Sequence, residues 1–296
     1  MRREYSSLLR WLGVALAALS LGFLIFGTPG GFLRKLDYIG AAVCHRRASH
    51  SFFIAGHQLP VCQRCTGTFS GALTGILVHW GLWKRRRSQR FPRWPFFILP
   101  LIFAVLWVLD GLNSSTADIG ISLLPRLGGQ AVPGAGLLGY VPQPWLRLLT
   151  GTMMGLSMSL VLVPAFNQAL WSDGEEKATL RSGREFTQLL VIEGSVAGLV
   201  FLLQGTSSPL ALYVVASYTI AGVIAMFTLL GAMIFVLALH RENMAAGWRE
   251  AWVPLTWGVV FAAFVVGFMD AVRLQFMGTI DGVPGLSQPV KVDQIW

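Results

Sequence analysis

The sequence predicts an all-α fold, a polytopic transmembrane helical bundle of about seven spans with the N-terminus inside and the C-terminus outside. Hydrophobic residues make up 54% of the 296 residues and charged residues only 12%, against about 25% charged residues in an average soluble domain. The mean hydropathy is +0.61. Several apolar runs approach or exceed the roughly 20 residues that a helix needs to cross a bilayer. A soluble enzyme, a small disulfide-rich protein and a disordered chain are therefore excluded.

Seven apolar runs mark the spans. The first follows a basic segment, and we interpret it as an uncleaved helix rather than a signal peptide, because its apolar core is long and no small-residue cleavage site precedes the GTPGG break. The predicted spans are residues 11–28, 66–83, 95–112, 146–164, 189–204, 210–239 and 252–272.

The basic residues predict the orientation. With the N-terminus inside, 14 of the 23 Lys and Arg residues fall on the inner side, six of them in KRRRSQRFPR at 84–93. Short loops dense in Lys and Arg are retained in the cytoplasm. We therefore expect a single membrane domain, 1–296, in the inner membrane of a prokaryote, in contact with the lipid bilayer. An outer Cys/His loop at 29–65 and an outer Gly/Pro-rich cap loop at 113–145 would lie on the extracytoplasmic side.

The outer Cys/His loop concentrates the side chains that bind soft metals. It holds all three cysteines and three of the five histidines, in CHRRASHSFFIAGHQLPVCQRC at 44–65. Two thiolates in a C-x-x-C turn can reach one ion, and zinc takes four tetrahedral N or S ligands. The candidate metal ligands are Cys44, Cys62, Cys65 and one of His45 or His57. We expect His50 to be a surface or hydrogen-bonding residue.

Other chemistries for these cysteines remain open at the level of sequence. An iron-sulfur cluster usually requires four cysteines, and c-type haem requires C-x-x-C-H, whereas Thr66 follows Cys65 here. Zinc is therefore the first prediction and copper the second. Cys62 and Cys65 could instead form a disulfide, or a redox-active pair in which Arg64 favours the thiolate.

The same stretch, extended to CHRRASHSFFIAGHQLPVCQRCTGTFSGALTG, resembles the signature of a prokaryotic integral membrane protein family, domain of unknown function 2085. Asp110-Gly111 and the segment LRLLTG at 146–151 resemble a second piece of that signature. The resemblance implies a shared membrane-associated site and names no activity. Family members join the two pieces by a short polar loop, whereas this chain carries the Gly/Pro-rich segment.

Ionisable residues at membrane depth are functional candidates. We expect Asp110 and Arg147 to form an ion pair at the outer helix ends, with the alternative that Asp110 orients a ligating histidine. Asp270 and Arg273 are expected to pair one helical turn apart.

Two further polar residues, His79 and Glu193, lie towards the inner side of the predicted bundle. We expect them to form a buried hydrogen-bonded pair, or otherwise a proton relay. Glycines at 67, 71 and 75 form one face of a helix and allow close approach of a second helix. That helix would come from this chain, or from a second copy or another membrane protein.

Three functions remain. The first is a membrane protein organised around an outer metal site, structural or catalytic. The second is a non-enzymatic accessory subunit of a respiratory or photosynthetic membrane complex, and the third is a membrane thiol-disulfide redox protein that uses the C-x-x-C. The sequence contains no phosphate-binding glycine loop, H-E-x-x-H or G-x-S-x-G motif, so nucleotide-driven and hydrolase functions have no support. Because the basic residues follow membrane topology, no nucleic-acid partner is predicted.

Overall fold

The computed structural model describes residues 5–123, 129–130 and 132–282. It confirms an all-α helical bundle. The α-helices are Ser7–Gly22 (α1), Phe32–Val43 (α2), Gln63–Leu77 (α3), Leu99–Asp118 (α4), Pro144–Leu170 (α5), Gly183–Leu203 (α6), Pro209–Ala238 (α7) and Trp248–Met277 (α8). Helices α1 and α3 continue as π-helical turns at Phe23–Gly27 and Val78–Leu82. Short 3₁₀ turns lie at Ala48–His50 and Phe96–Ile98, and short strands at Phe53–Ile54 (β1), His57–Gln58 (β2), Ser88–Arg90 (β3) and Glu175–Ala178 (β4).

Six helices in the described part of the chain are long and apolar enough to cross a membrane. They are α1 with its π-helical turn, α4 with the 3₁₀ turn before it, and α5 to α8, which correspond to six of the seven predicted spans. Much of their surface is apolar and exposed: Leu101, Leu202 and Phe264 have 67%, 75% and 66% of their surface accessible. Side chains of this kind require lipid around them.

The remaining predicted span, 66–83, corresponds to α3 and its π-helical turn, and it lies inside the bundle. Helix α3 packs against α5, α6 and α7, and most of its residues are buried. Its hydroxyl groups donate to carbonyl oxygens one turn earlier, Thr68 to Arg64 at 3.0 Å and Thr74 to Ser70 at 2.8 Å. Because these hydroxyls are satisfied within the helix, α3 tolerates a less apolar composition than the helices that face lipid.

The glycine face of α3 is occupied by α5. A Cβ atom added at Gly67 would overlap the carbonyl oxygen of Leu148, and one added at Gly75 would overlap the hydroxyl of Ser159. In return, a Cβ at Gly155 of α5 would overlap the carbonyl oxygen of Thr68. The two backbones therefore touch, as small residues permit. The suggestion that residues 67–75 contact a second copy or another protein is wrong, because α5 of the same chain covers this face.

The connections between the helices lie at two opposite ends of the bundle. At one end β3 pairs in parallel with β4, and Arg85 forms an ion pair with Glu185. At the other end β1 and β2 form a hairpin, the amide of Ala55 donates to the carbonyl oxygen of Thr206 at 2.6 Å, and an ion pair joins residues 34 and 281. The basic loop at 84–93 and the cysteine-containing loop thus lie at opposite ends of the bundle.

The Gly/Pro-rich segment begins later than predicted, because α4 continues through Asn113 to Asp118. Residues 124–128 and 131 of this predicted cap lie outside the described residues. The part before α5 folds back onto α4: the Asn113 amide donates to the carbonyl oxygen of Tyr140 at 3.0 Å, and the amide N–H of Leu138 donates to Asn113 Oδ1 at 2.8 Å. This part of the segment is therefore an ordered cover on the end of α4.

The contact between α3 and α5 can be tested with two glycine variants. Gly155→Ala places a methyl group against the backbone of α3, which cannot move aside without displacing the helix, so we expect a loss of about 1–3 kcal/mol. Gly198→Ala is the control, because nothing lies within 4 Å of the added atom and Ala favours a helix by up to about 1 kcal/mol. Thermal unfolding in one detergent measures both, and equal melting temperatures would contradict the packing.

Candidate metal centre

Cys44 comes directly after α2, in extended backbone with φ −144° and ψ 143°. Helix α2 lies flat against the chain that precedes the C-x-x-C: a Cβ at Gly40 would overlap the carbonyl oxygen of Pro60. Leu36 and Ile39 of α2 are buried in the same apolar cluster as Leu59. The end of α2 is thereby fixed close to the start of α3.

The β1–β2 hairpin between α2 and α3 brings the chain back to the end of α2. Phe52 and Ile54 are buried in the bundle, and the Gln58 amide donates at 2.9 Å both to the carbonyl oxygen of Arg46 and to the hydroxyl of Ser51. Arg46 has a positive φ of 52°, which turns the chain immediately after Cys44 and His45. The loop from Cys44 to Cys62 closes on itself for these local reasons.

Cys62 and Cys65 stand at the beginning of α3. Cys62 is the N-terminal cap residue, and its carbonyl oxygen accepts from the amide of Thr66 at 2.8 Å. Cys65 lies in the first turn. The free N–H groups of a first helical turn favour nearby negative charge and lower thiol pKa values. The helix terminus favours negative charge at both positions, but interactions with the Cys44 and Cys62 thiols, together with burial, raise the pKa of Cys65 well above its usual range.

Cys44, His45 and Cys62 come together at one point. The ligand atoms of Cys44, His45 and Cys62 all lie within 4.8 Å of one another, and Cys44 Sγ is 3.9 Å from His45 Nδ1. The Cys65 thiol interacts with the thiols of Cys44 and Cys62, but it is not among the three residues whose ligand atoms all lie this close together. Two ligands on a tetrahedral zinc ion stand about 3.6–3.8 Å apart, given bond lengths near 2.3 Å to sulfur and 2.0 Å to nitrogen. The group of Cys44, His45 and Cys62 is therefore close enough to hold one metal ion.

Hydrogen bonds and burial act in opposite directions on the charge of the sulfur atoms. Backbone amides of Cys62 and Arg46 donate to Cys44 Sγ at 3.1 and 3.4 Å. Burial raises the pKa of the Cys44 thiol to about 12, whereas hydrogen bonds from the Cys44 and Cys65 thiols hold the pKa of Cys62 well below its usual range. All three cysteines are free thiols. The predicted Cys62–Cys65 disulfide is thus not present in this structure.

His57, the other histidine predicted as a possible ligand, lies apart from this group. It belongs to β2, its side chain is 40% exposed, and its Nε2 is 3.7 Å from Oδ2 of the buried Asp37. Of the two histidines, it is His45 that the fold brings to the sulfur atoms.

Arg273 of α8 holds the loop that carries Cys44 and His45. Its guanidinium donates to the carbonyl oxygens of Cys44 at 2.5 Å, His45 at 3.1 Å and Ala41 at 2.9 Å. The expected pair with Asp270 is wrong, because the donors of Arg273 are turned to these carbonyls and Asp270 Oδ1 has no hydrogen-bond partner among the described residues. Residue spacing along α8 gave no indication of a contact 229 residues away.

Asp110 pairs with Arg64, which corrects the expected pair with Arg147. Arg64 Nη2 is 2.5 Å from Asp110 Oδ2. The hydroxyls of Tyr140 and Thr150 donate to the same carboxylate at 2.9 and 3.2 Å, and burial together with this bond raises the pKa of Tyr140 to about 12. Asp110 therefore joins α4, α5 and the C-x-x-C turn, and these bonds leave no contact between it and a ligating histidine.

Arg147 instead contacts His50, whose ring lies beside His45 of the candidate centre. Its guanidinium contacts His50 Nε2 at 3.2 Å, Gln63 Oε1 at 3.3 Å and Ser114 Oγ at 3.2 Å. The rings of His50 and His45 meet edge to face, with centroids 5.5 Å apart. His50 is therefore a hydrogen-bonding residue, one of the two roles expected for it, although it is buried rather than at the surface. Burial, with the charge of Arg147, lowers its pKa to about 4.

The same His50 nitrogen, Nε2, also lies 3.0 Å from Asp118 Oδ1, and the other oxygen of Asp118 pairs with Arg47. Sequence reasoning missed His50, Asp118 and Gln63 as parts of the site. The sequence signal for this part of the site was that His50 lies close to the cysteines along the chain. Asp118 was expected to lie in the cap loop at 113–145.

His79 and Glu193 do not form the expected pair. His79 donates from Nδ1 to the carbonyl oxygen of Gly75 at 2.6 Å and meets the Trp83 ring edge to face. Glu193 is 2% exposed, faces Gly71 and Gly75 of α3, and has no hydrogen-bond partner for either oxygen among the described residues. Both residues are buried as predicted, but no hydrogen bond joins them in the described part of the chain.

Residues 44–161 match a family described as "Predicted membrane protein", domain of unknown function 2085. This confirms the resemblance, and the matched segment contains the three cysteines, α3, α4 and the first two thirds of α5. No solved structure matches the chain.

Two archaeal proteins are similar to parts of the chain. An uncharacterized protein of Methanocaldococcus jannaschii is 35% identical over 60 residues, which are 20% of this chain and 38% of the relative. An uncharacterized protein of Methanothermobacter thermautotrophicus is 49% identical over 35 residues, 12% of this chain and 32% of the relative. The chain thus matches about a third of the length of these relatives.

The Asp110 contacts generate a test of the network beside the centre. Asp110→Asn leaves the Arg64 guanidinium buried without a counter-charge, so we expect a loss of about 3 kcal/mol. The matched control is Glu176→Gln, which removes the partner of Arg90 from an exposed pair and should leave stability unchanged, since exposed pairs contribute little. Thermal unfolding of both variants measures the difference, and a stable Asp110→Asn protein would contradict the network.

Proposed function

From the family match and this geometry, we propose that the chain is an integral membrane protein in which Cys44, His45, Cys62 and Cys65 hold one zinc ion. The ion's role is structural: it joins the end of α2 to the start of α3. The observation that carries the proposal is the convergence of Cys44, His45 and Cys62 from two separate segments at one point, with the free thiol of Cys65 interacting with the other two thiols.

The ligand set supports a structural rather than a catalytic ion. Three thiolates and one imidazole fill all four positions of a tetrahedral zinc site, whereas catalytic sites usually keep one position for water. Cys44 and Cys62 are 7% and 4% exposed, so the ion would be shielded from solvent on the sulfur side. His45 is exposed and closes the remaining side.

Metal content of the purified protein is the direct test. We expect about one zinc per chain, lost in Cys62→Ser and in His45→Ala, because each removes a ligand from a four-coordinate site. His57→Ala is the matched control and should keep its zinc, since His57 lies beside Asp37. Elemental analysis with protein quantification measures all four samples.

Native protein without stoichiometric metal would contradict the proposal. Loss of zinc in His57→Ala with retention in His45→Ala would show that the other histidine is the ligand.

A thiol redox function is the second candidate, and one observation favours it. Cys62 and Cys65 are free thiols at a helix N-terminus, and the pKa of Cys62 is held well below its usual range, which is the setting of reactive C-x-x-C pairs. Differential alkylation followed by intact-mass analysis separates the two functions. A redox pair becomes oxidised by two electrons at a mild thiol-disulfide poise, whereas zinc-bound thiolates stay reduced until a chelator is added.

We further propose that the centre lies on the extracytoplasmic side of the inner membrane. Support comes from the basic loop at 84–93, which lies at the opposite end of the bundle from the cysteines and favours the cytoplasm. A periplasm-active phosphatase fused after Gly282, on the side of Arg34 and Asp281, should be active. A fluorescent reporter that folds only in the cytoplasm should be dark at the same position, and the reverse result would invert the topology.

A further inference from the structure

A cavity of about 430 Å³ lies between α1, α2, α7 and α8, within the size range of small-molecule sites. Small residues on one face of α8, Ala262, Ala263 and Gly267, leave the space open. The π-helical turn that ends α1 and the buried face of α2 close it at the end that carries the cysteines. The cavity belongs to none of the contacts described for the metal centre.

One carboxylate lies in this apolar lining. Asp270 is 8% exposed and lines the cavity, and its Oδ1 is buried without a hydrogen-bond partner among the described residues. A buried polar atom without a partner is costly, and such groups in membrane proteins mark ligand sites by default. The other polar side chains of the lining are Ser20, Thr28 and Tyr38. Ser20 and Thr28 donate to carbonyl oxygens of their own helix.

The surrounding charges select the kind of head group that Asp270 can accept. The charged groups that act on it are Arg273 and Arg46. Arg273 directs its donors to backbone carbonyls, and Arg46 pairs with Asp37 at 2.7 Å, so neither hydrogen-bonds to Asp270. The two guanidinium groups would repel a cationic head group. A neutral hydroxyl is not repelled, and it can donate a hydrogen bond to Asp270.

Entry from the bilayer is open. Leu19 and Phe23 form part of the lining of the cavity, and both are 69% exposed on the outer surface of α1. A molecule dissolved in the lipid can therefore reach the cavity sideways, between α1 and α7.

We propose that this cavity binds a neutral lipophilic alcohol or phenol, with its apolar chain among Leu24, Phe227 and Val266 and its hydroxyl donating to Asp270. The carboxylate supplies the one hydrogen bond that sets such a molecule apart from an ordinary acyl chain. The site is separate from the metal centre, and it does not depend on the proposed zinc.

Photolabelling of the full-length chain in nanodiscs tests this inference. Three diazirine probes of equal chain length carry a terminal hydroxyl, a terminal amine or only a methyl group. We expect the alcohol to label Leu24, Tyr38 and Val266 about tenfold more than the alkane does, the factor that one hydrogen bond to a charged group supplies. Asp270→Leu should remove this preference, and Ala263→Phe should remove labelling by filling the cavity.

A second cavity provides the internal control. It has a volume of about 830 Å³ and no ionisable residue in its lining, which includes Met158, Val161 and Met226, so the three probes should label it equally. Equal labelling at the Asp270 cavity by alcohol and alkane would reduce it to a groove for acyl chains, and preference for the amine would overturn the ligand class. If Asp270→Leu does not fold, the inference is tested with the native protein and Ala263→Phe alone. Unchanged labelling in Ala263→Phe would show that the probe binds elsewhere and would overturn the inference.

Discussion

The meeting of Cys44 with the first turn of α3 is the contact on which one end of the bundle depends. Burying sulfur atoms that carry charge is unfavourable unless the charge is compensated. Here backbone amides donate to Cys44 Sγ, the N-terminus of α3 faces Cys62 and Cys65, and Arg273 fixes the loop through its carbonyl oxygens. The amides and the helix terminus favour thiolates, whereas burial opposes the charge at Cys44, and a cation between the sulfur atoms would complete the compensation. The hairpin, α2 and the end of α8 all take their positions around this point.

Sequence reasoning located the apolar helices and the cysteine cluster because both signals are local. Hydropathy gives the depth of a residue in the membrane, but it does not give the direction in which that residue faces around its helix. Asp110 and Arg147 were placed at the correct end, yet Asp110 turns to Arg64 and Arg147 to His50. The glycine face of α3 was found by its spacing, whereas its partner α5 depends on packing of the whole bundle.

The matched family segment divides the molecule into two parts. Residues 44–161 contain the cysteines and the Arg64–Asp110 and His50–Arg147 contacts, so the centre and the polar network beside it lie within one stretch of family sequence. Arg273 and the cavity at Asp270 lie outside it, on α8. Helix α8 thus adds one arginine to the support of the loop that carries Cys44 and His45, and with α1, α2 and α7 it lines a cavity outside the matched segment.

X-ray absorption at the zinc edge of the purified native protein is the most direct measurement of the central claim. The account predicts a first shell of three sulfur atoms at about 2.3 Å and one nitrogen at about 2.0 Å, with the outer-shell pattern of an imidazole. A shell of oxygen and nitrogen without sulfur would contradict it, because the ion would then lie elsewhere in the protein and the three thiols would not bind it.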